Sequence, residues 1–177
     1  MALSRLGKQI TEIIALLEAT GVRFALIGGL ALALHKVIRA TQDIDLLVDA
    51  EDADTIDKAL TDRGYRCLYR SADAANYLRG DERVDLLYAS RPIARQLLIN
   101  ALEQHTTFGV LRVIGPEGII GFKLQGWVND PRRTQDLEDI RALLRTHGST
   151  LDMARVREYF RLFDRETLLN ELLQEIR

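Results

Sequence analysis

Two aspartates separated by one apolar residue, Asp43 and Asp45 around Ile44, are the strongest chemical signal in the sequence. Successive side chains of a strand point to opposite faces, so both carboxylates share one face while Ile44 turns into the core. Neighbouring carboxylates repel each other unless a positive charge lies between them. A hard divalent cation such as Mg²⁺ prefers oxygen ligands. The pair is therefore a candidate metal site, although by itself such a pair is more often the exposed face of an ordinary strand.

Two further features accompany the pair. Gly28 and Gly29 follow the apolar run 22–27, where glycines let backbone amides approach a phosphate at a helix start. Asp85 is a third carboxylate between apolar neighbours, in the predicted strand 83–89. Each feature alone has an ordinary explanation, as a strand-to-helix turn or as an exposed face of a strand. Together and in this order, they are much more specific than any one of them alone, and they predict a phosphate-handling site.

The pattern of apolar residues predicts an α/β fold: a small mixed β-sheet flanked by helices, with a helical C-terminal portion. We divide the chain into a core at residues 1–115 and a helical portion at 116–177 packed on that core. Strands are expected at 22–27, 43–48, 65–70, 75–79 and 83–89, and over 106–114 as a strand pair or as one strand broken at Gly109. Helices are expected at 3–19, 30–37, 49–60, 92–104, 118–128, 134–146, 151–162 and 165–176.

Composition narrows the class of protein. The 177 residues carry a net charge of −2, which does not indicate tight nonspecific binding of nucleic acid. Arginine outnumbers lysine by 20 to 4, a bias that suits phosphate binding and equally suits a GC-rich genome. The lone Cys67 excludes an internal disulfide and a cysteine-rich zinc site. Without a long apolar run or a signal-like N-terminus, we expect a cytoplasmic protein with no membrane association.

The order Ile27-Gly28-Gly29, a short helix, then Asp43-Ile44-Asp45 resembles the signature of the DNA polymerase beta-like nucleotidyltransferase superfamily. That resemblance implies a metal-dependent enzyme in which Asp43, Asp45 and Asp85 are catalytic and hold two Mg²⁺ ions. It further implies that Asp85 helps to deprotonate the acceptor hydroxyl. Gly28 and Gly29 would then face the phosphates of the nucleotide.

A narrower resemblance covers the second half of the chain. Lys123 on a largely apolar helix face, an arginine pair and the run 136–140 look like the downstream motifs of the abortive-infection type IV toxin nucleotidyltransferases. The segment 39–43 also suits that branch. The resemblance implies nucleotide-binding roles for six residues: Arg39, Thr41, Lys123, Arg132, Arg133 and Asp136.

Structural alternatives exist for three of these motif residues. A lysine in an apolar stripe must reach an anion, or it must extend its ammonium group into solvent, and for Lys123 both remain open. Asp136 and Asp139 could be charges at a helix N-terminus. We weigh the two interpretations equally for Asp136, and we favour the helix-charge interpretation for Asp139.

The sequence thus predicts transfer of a nucleoside monophosphate from a nucleoside triphosphate to an acceptor hydroxyl. The acceptor could be a transfer RNA end, a protein side chain or a small molecule such as an antibiotic. If the chain is the toxin of a toxin–antitoxin pair, an antitoxin is a further partner. The alternative is a catalytically silent module of the same fold that binds a nucleotide or a protein, and a plain structural α/β domain is the third possibility.

Overall fold

The computed structural model describes residues 4–176, in which the chain forms seven strands, eight α-helices and a short 3₁₀ helix at Ala50–Asp52. The strands are β1 (Phe24–Ile27), β2 (Asp43–Asp49), β3 (Arg66–Arg70), β4 (Ala74–Arg79), β5 (Glu82–Ala89), β6 (Leu102–Thr106) and β7 (Gly109–Val113). The helices are α1 (Arg5–Thr20), α2 (Gly28–Leu34), α3 (Ala53–Asp62), α4 (Pro92–Ile99), α5 (Pro116–Asn129), α6 (Thr134–His147), α7 (Met153–Leu162) and α8 (Glu166–Glu175). Residues 1–3 and 177 lie outside this description. They include the start of the predicted helix 3–19 and the outer ends of the two predicted units.

All seven strands join one mixed sheet in the order β3-β4-β5-β2-β1-β7-β6. β2 runs parallel to β5, and β1 runs parallel to β7, while the other neighbours are antiparallel. The apolar β1 is buried at every residue, as a strand between two neighbours requires. The predicted α/β class with a mixed sheet flanked by helices is confirmed.

The first helix shows how local sequence sets an element. The side chain of Ser4 accepts a hydrogen bond from the backbone N–H of Gly7 and so caps the N-terminus of α1. Apolar residues at helical spacing bury one face. Gly21 then ends the helix with φ of 71°, a left-handed conformation that glycine adopts at little cost. The helix predicted over 3–19 thus ends one residue later than expected, at Thr20.

The predicted helix over 92–104 is wrong in its second half. α4 already ends at Ile99, and residues 102–106 form the edge strand β6. β6 pairs antiparallel with β7 from Leu102↔Val113 to Thr106↔Gly109. The backbone of this short mixed segment gains ladder hydrogen bonds in the sheet, which outweigh its weak helical pattern. The range 106–114 holds only the last residue of β6 and the whole of β7, so the strand pair begins four residues before the predicted range.

The chain forms two compact units. The first holds the chain up to Ala31 together with Ala40–Ile114, and it contains the whole sheet with α1, α3 and α4. The second holds Leu32–Arg39 together with the chain from Gly115 onward, including α5 to α8. Nothing in the sequence indicated that the short segment 32–39 groups with the C-terminal helices.

Arg79, at the end of β4, joins several parts of the sheet unit. Its guanidinium donates to both carboxylate oxygens of Glu12 on α1, at 2.9 and 2.6 Å, and its Nε donates to Glu82 at 2.7 Å. It also lies over the ring of Tyr65, 4.4 Å from the centroid. The hydrogen bonds from Arg79 lower the pKa of Glu12 below its ordinary value of 4.5. This partly exposed network fastens α1 to the sheet.

We predict that Arg79→Met lowers the free energy of unfolding by about 1–2 kcal/mol at pH 7, because charged hydrogen bonds to two carboxylates disappear. Arg5→Met is the matched control. It removes an exposed ion pair to Asp81 and should change the free energy by less than about 0.5 kcal/mol. Urea unfolding measures both.

The pH dependence of this difference has a definite sign. A carboxyl group whose pKa is lowered in the folded state stabilises the protein above its unfolded pKa, and this stabilisation is lost as the pH falls through the folded pKa. The gap between wild type and Arg79→Met should therefore be full at neutral pH and narrow below pH 4.5 as Glu12 becomes protonated. Equal losses in the Arg79 and Arg5 variants at pH 7 would contradict the assignment.

Candidate functional site

The parallel pairing of β2 with β5 brings the predicted carboxylates of the sheet unit together. Asp45 is the direct partner of Asp85, and Asp43 is the partner of Arg83. Partners on adjacent strands point to the same side of a sheet. The intervening Ile44 is fully buried on the opposite side. Asp43, Asp45 and Asp85 therefore share one partly exposed face.

Gly28 provides the space that the Asp45 side chain occupies. Its φ is +64°, and a Cβ added there would overlap Oδ2 of Asp45 and lie 2.5 Å from its Cγ. β1 and β2 place Ile27 directly opposite Asp45, so the chain turns into α2 immediately beside this carboxylate. Only glycine combines the left-handed backbone with so close an approach.

Gly29 has the same relation to Thr41. A Cβ at this position would lie 2.6 Å from both Cβ and Oγ1 of Thr41. The Thr41 hydroxyl donates to the backbone carbonyl of Asp43 at 3.4 Å, a turn-like contact that leads into β2. Both glycines thus make room for residues around the carboxylates, and their predicted contacts with phosphate stay predictions.

Asp85 is held through one of its two oxygens. Asn76 on β4 donates to Oδ1 at 2.7 Å, and the Nε of Arg83 donates to the same atom at 3.3 Å. Within residues 4–176, no hydrogen bond or ion pair engages Oδ2 of Asp85. The carboxylate is therefore anchored on one side and open on the other.

The donor set on this face fits a hard cation. Three carboxylates from two adjacent strands supply anionic oxygen ligands of the kind that Mg²⁺ prefers. Gly28 lets the backbone pass so close to Asp45 that a side chain at this position would collide with the carboxylate. Among the described residues, no three His, Cys, Asp or Glu side chains already converge as a ready metal shell. The donors on Oδ1 hold Asp85 towards Asn76 and Arg83.

The predicted residues of the helical unit form a buried charge cluster. Lys123 on α5 is only 9% exposed, and its ammonium lies 2.9 Å from Asp136 and 2.8 Å from Asp139. The alternative in which Lys123 extends into solvent is therefore wrong. The anion that the lysine requires is supplied by two aspartates of α6. Both oxygens of Asp136 are used, since Arg133 donates to Oδ2 at 2.7 Å.

Asp139 is a second buried carboxylate and not a charge at a helix start. It lies beyond the first turn of α6 and is 2% exposed. Its Oδ1 accepts from Gln135 at 3.0 Å and lies 3.4 Å from the Nε of Arg39. The favoured interpretation for Asp139 is thus wrong, because α6 turns this face towards Lys123 instead of solvent.

The arginine pair at 132–133 divides between surface and cluster. Arg132 is 91% exposed in its side chain and pairs with Asp130 at 2.8 Å. Arg133 is more than half exposed while its Nε reaches the buried Asp136. Arg39 is one-third exposed and pairs with Asp139. The structure therefore brings Arg39, Arg133, Lys123 and Asp136 into one cluster and leaves Arg132 outside it.

Sequence reasoning missed two residues that hold the charged groups in place. Asn76 anchors Asp85, and Gln135 bonds to Asp139. Gln135 could have been found from its spacing, since it lies one helical turn before Asp139. Asn76 depends on the antiparallel register of β4 with β5, which places Asn76 opposite Asp85 and which no local pattern reveals.

Comparison with known proteins agrees with this architecture. Residues 4–107 match the family described as uncharacterised nucleotidyltransferase. The solution structure of the antibiotic-resistance factor ANT(2'')-Ia aligns with a TM-score of 0.67 at 18% identity, covering 97% of each chain. The lincosamide antibiotic adenylyltransferase LnuA, bound to lincomycin, aligns with a TM-score of 0.58 at 16% identity, over 81% of this chain and 98% of LnuA.

A nucleotidyltransferase-like structure from Thermotoga maritima also aligns, with a TM-score of 0.51 at 17% identity, over 77% of this chain and 91% of the other. At such identities these likenesses show the fold. No curated protein matches the sequence. The matches agree with the predicted superfamily and do not confirm the abortive-infection branch. Within residues 4–176, every helix is too short or too polar to cross a lipid bilayer.

We predict that Gly28→Ala lowers the free energy of unfolding by more than Gly80→Ala does. Both glycines have positive φ, so both variants carry the backbone strain of about 1–3 kcal/mol. A Cβ at Gly80 meets nothing within 4 Å, whereas one at Gly28 collides with Asp45. The difference between the two variants in urea unfolding isolates that collision. Equal losses would show that Asp45 moves aside without cost.

We predict that Lys123→Met lowers the free energy of unfolding by about 3–5 kcal/mol, because two buried aspartates lose their shared cation. Lys58→Met, which removes an exposed pair to Asp62, is the control and should cost less than about 0.5 kcal/mol. Adding Asp139→Asn to Lys123→Met should recover part of the loss. A Lys123 variant as stable as the control would contradict the buried cluster.

Proposed function

This chain belongs to the uncharacterised nucleotidyltransferase family, and we propose that it moves a nucleoside monophosphate from a nucleoside triphosphate to an acceptor hydroxyl. The observation that carries the proposal is the shared face of Asp43, Asp45 and Asp85, built by the parallel register of β2 and β5. Three carboxylates on one partly exposed face are unfavourable without a cation, and a triphosphate enters with such cations.

Asp43, Asp45 and Asp85 are the residues that would hold Mg²⁺. When bound, the ion neutralises phosphate charge and stabilises the attacking and leaving oxygens. Two ions per site are expected from the superfamily. The superfamily resemblance assigns Gly28 and Gly29 to the phosphates of the nucleotide, and in this chain the two glycines also make room for Asp45 and Thr41.

The reaction forms one bond and breaks one. The acceptor oxygen bonds to the α-phosphorus, and the bond from that phosphorus to the oxygen bridging to the β-phosphate breaks, so pyrophosphate leaves with the electron pair. The acceptor proton passes to a base, and we assign this role to Asp85, whose Oδ2 has no hydrogen-bond or ion-pair partner among the described residues.

Among acceptors, we place a small-molecule hydroxyl first. The fold neighbours that align over nearly their whole length include ANT(2'')-Ia, also solved with adenylyl-2''-tobramycin, and a lincomycin-bound adenylyltransferase. A transfer RNA end and a protein side chain are the other candidate acceptors, and the experiment below includes both. The toxin role with its antitoxin, and the cytoplasmic location, remain predictions.

A separate prediction concerns nucleotide binding. The resemblance assigns it to Thr41 of the sheet unit and to five residues of the helical unit: Arg39, Lys123, Arg132, Arg133 and Asp136. For Lys123, a phosphate would have to compete with two aspartates that already hold its ammonium. Titration of labelled triphosphate against Lys123→Met tests that contact: unchanged affinity would remove Lys123 from the binding residues.

We predict Mg²⁺-dependent transfer of label from one of the four α-labelled nucleoside triphosphates to one member of an acceptor panel, with one pyrophosphate per label. The panel holds aminoglycosides, lincosamides, total transfer RNA and a protein mixture. Asp43→Asn and Asp45→Asn should reduce transfer to background. Asp73→Asn, an exposed aspartate between β3 and β4, is the control and should transfer as wild type does.

Thermal melting in EDTA accompanies the assay. Removing one of several like charges should leave the melting temperature unchanged or raise it. A large fall in both variants would mean that the pair is structural. Mg²⁺-dependent binding of triphosphate without any transfer would support the silent nucleotide-binding module, and absence of both would refute the proposed function.

A further inference from the structure

Asn76 lies directly opposite Asp85 across the antiparallel pair β4–β5, and its amide donates to Oδ1 of Asp85 at 2.7 Å. We propose that Asn76 is a positioning residue that anchors Asp85, so that the other oxygen, Oδ2, is presented to the metal and the acceptor. The proposal rests on the proposed function, because it assigns Asn76 a task in the same site. Asn76 itself need not touch the substrate.

The position of Asp85 makes such an anchor necessary. In register, Asp85 stands beside Asp45 on β2, so repulsion pushes its carboxylate towards β4, the strand on the other side of β5. There the amide of Asn76 donates to Oδ1, which stops further rotation and fixes the plane of the carboxylate. Oriented outer partners of this kind set the geometry and the basicity of metal ligands.

Of the two donors on Oδ1, Asn76 is the more rigid. Arg83 has a long side chain that is 46% exposed, and its contact measures 3.3 Å. Asn76 is short, half-buried and fixed by its strand, with a contact of 2.7 Å. Because the amide is neutral, it holds Asp85 without cancelling the negative charge that attracts a cation.

The test measures binding of Mn²⁺ to the full chain by electron paramagnetic resonance, alone and with a non-hydrolysable triphosphate. Asn76→Leu keeps the side-chain size and removes the donor, and it should weaken Mn²⁺ binding by about 10- to 100-fold. Asn76→Gln keeps a donor and should recover part of that loss. Asn100→Ala, an exposed asparagine after α4, is the control and should bind as wild type does.

Turnover supplies a second readout. In Asn76→Leu, kcat should fall by about 10- to 100-fold while KM for the triphosphate changes little, because Asp43 and Asp45 remain. Equal losses of Mn²⁺ affinity in the Leu and Gln variants would assign the effect to packing and overturn the proposal. If Asn76→Leu does not fold, as judged by thermal melting, Asn76→Ala replaces it.

The outcomes separate this proposal from the function on which it rests. If wild type binds Mn²⁺, Asp85→Asn weakens that binding and Asn76→Leu does not, then the positioning role alone is refuted. If wild type binds no Mn²⁺ with or without triphosphate, the proposed catalytic site is refuted and the role of Asn76 falls with it.

Discussion

Mutual repulsion among three carboxylates is the constraint around which the sheet unit is built. Asp43 and Asp45 share a strand face by spacing, and the parallel register of β2 with β5 adds Asp85 beside them. The repulsion among these carboxylates lowers the stability of the folded state, so another interaction must compensate for it. The buried opposite side of the same strands, with Ile44 and Val84 at 0% exposure, supplies that offset.

The immediate surroundings of the carboxylates control where each one points. Because Gly28 has no Cβ, the side chain of Asp45 can pack directly against its backbone. Asn76 and Arg83 draw one oxygen of Asp85 towards β4 and β5. Three carboxylates on one face give this part of the sheet the negative potential that attracts metal ions.

In the helical unit, by contrast, the buried negative charges are paired with positive ones. Two aspartates, Asp136 and Asp139, are surrounded by Lys123, Arg39 and Arg133, so anions and cations balance inside the cluster. Burying these groups unpaired would be costly, and pairing them fixes α5 against α6. A lysine held by two carboxylates is poorly placed to serve a phosphate. The main role of the cluster is therefore structural: it holds α5 and α6 together.

The sequence by itself determined the α/β class, the strand carrying Asp43 and Asp45, and the end of α1, because these follow from local periodicity, spacing and glycine conformation. It also predicted that Asp85 belongs with the pair, through the resemblance of this sequence to the nucleotidyltransferase superfamily. Three features were decided only by the tertiary structure. The edge strand β6 replaced a predicted helix end, because pairing with β7 satisfied its backbone. Asn76 met Asp85 through strand register, and Asp139 met Lys123 through helix packing, since contacts between residues distant in sequence have no local pattern.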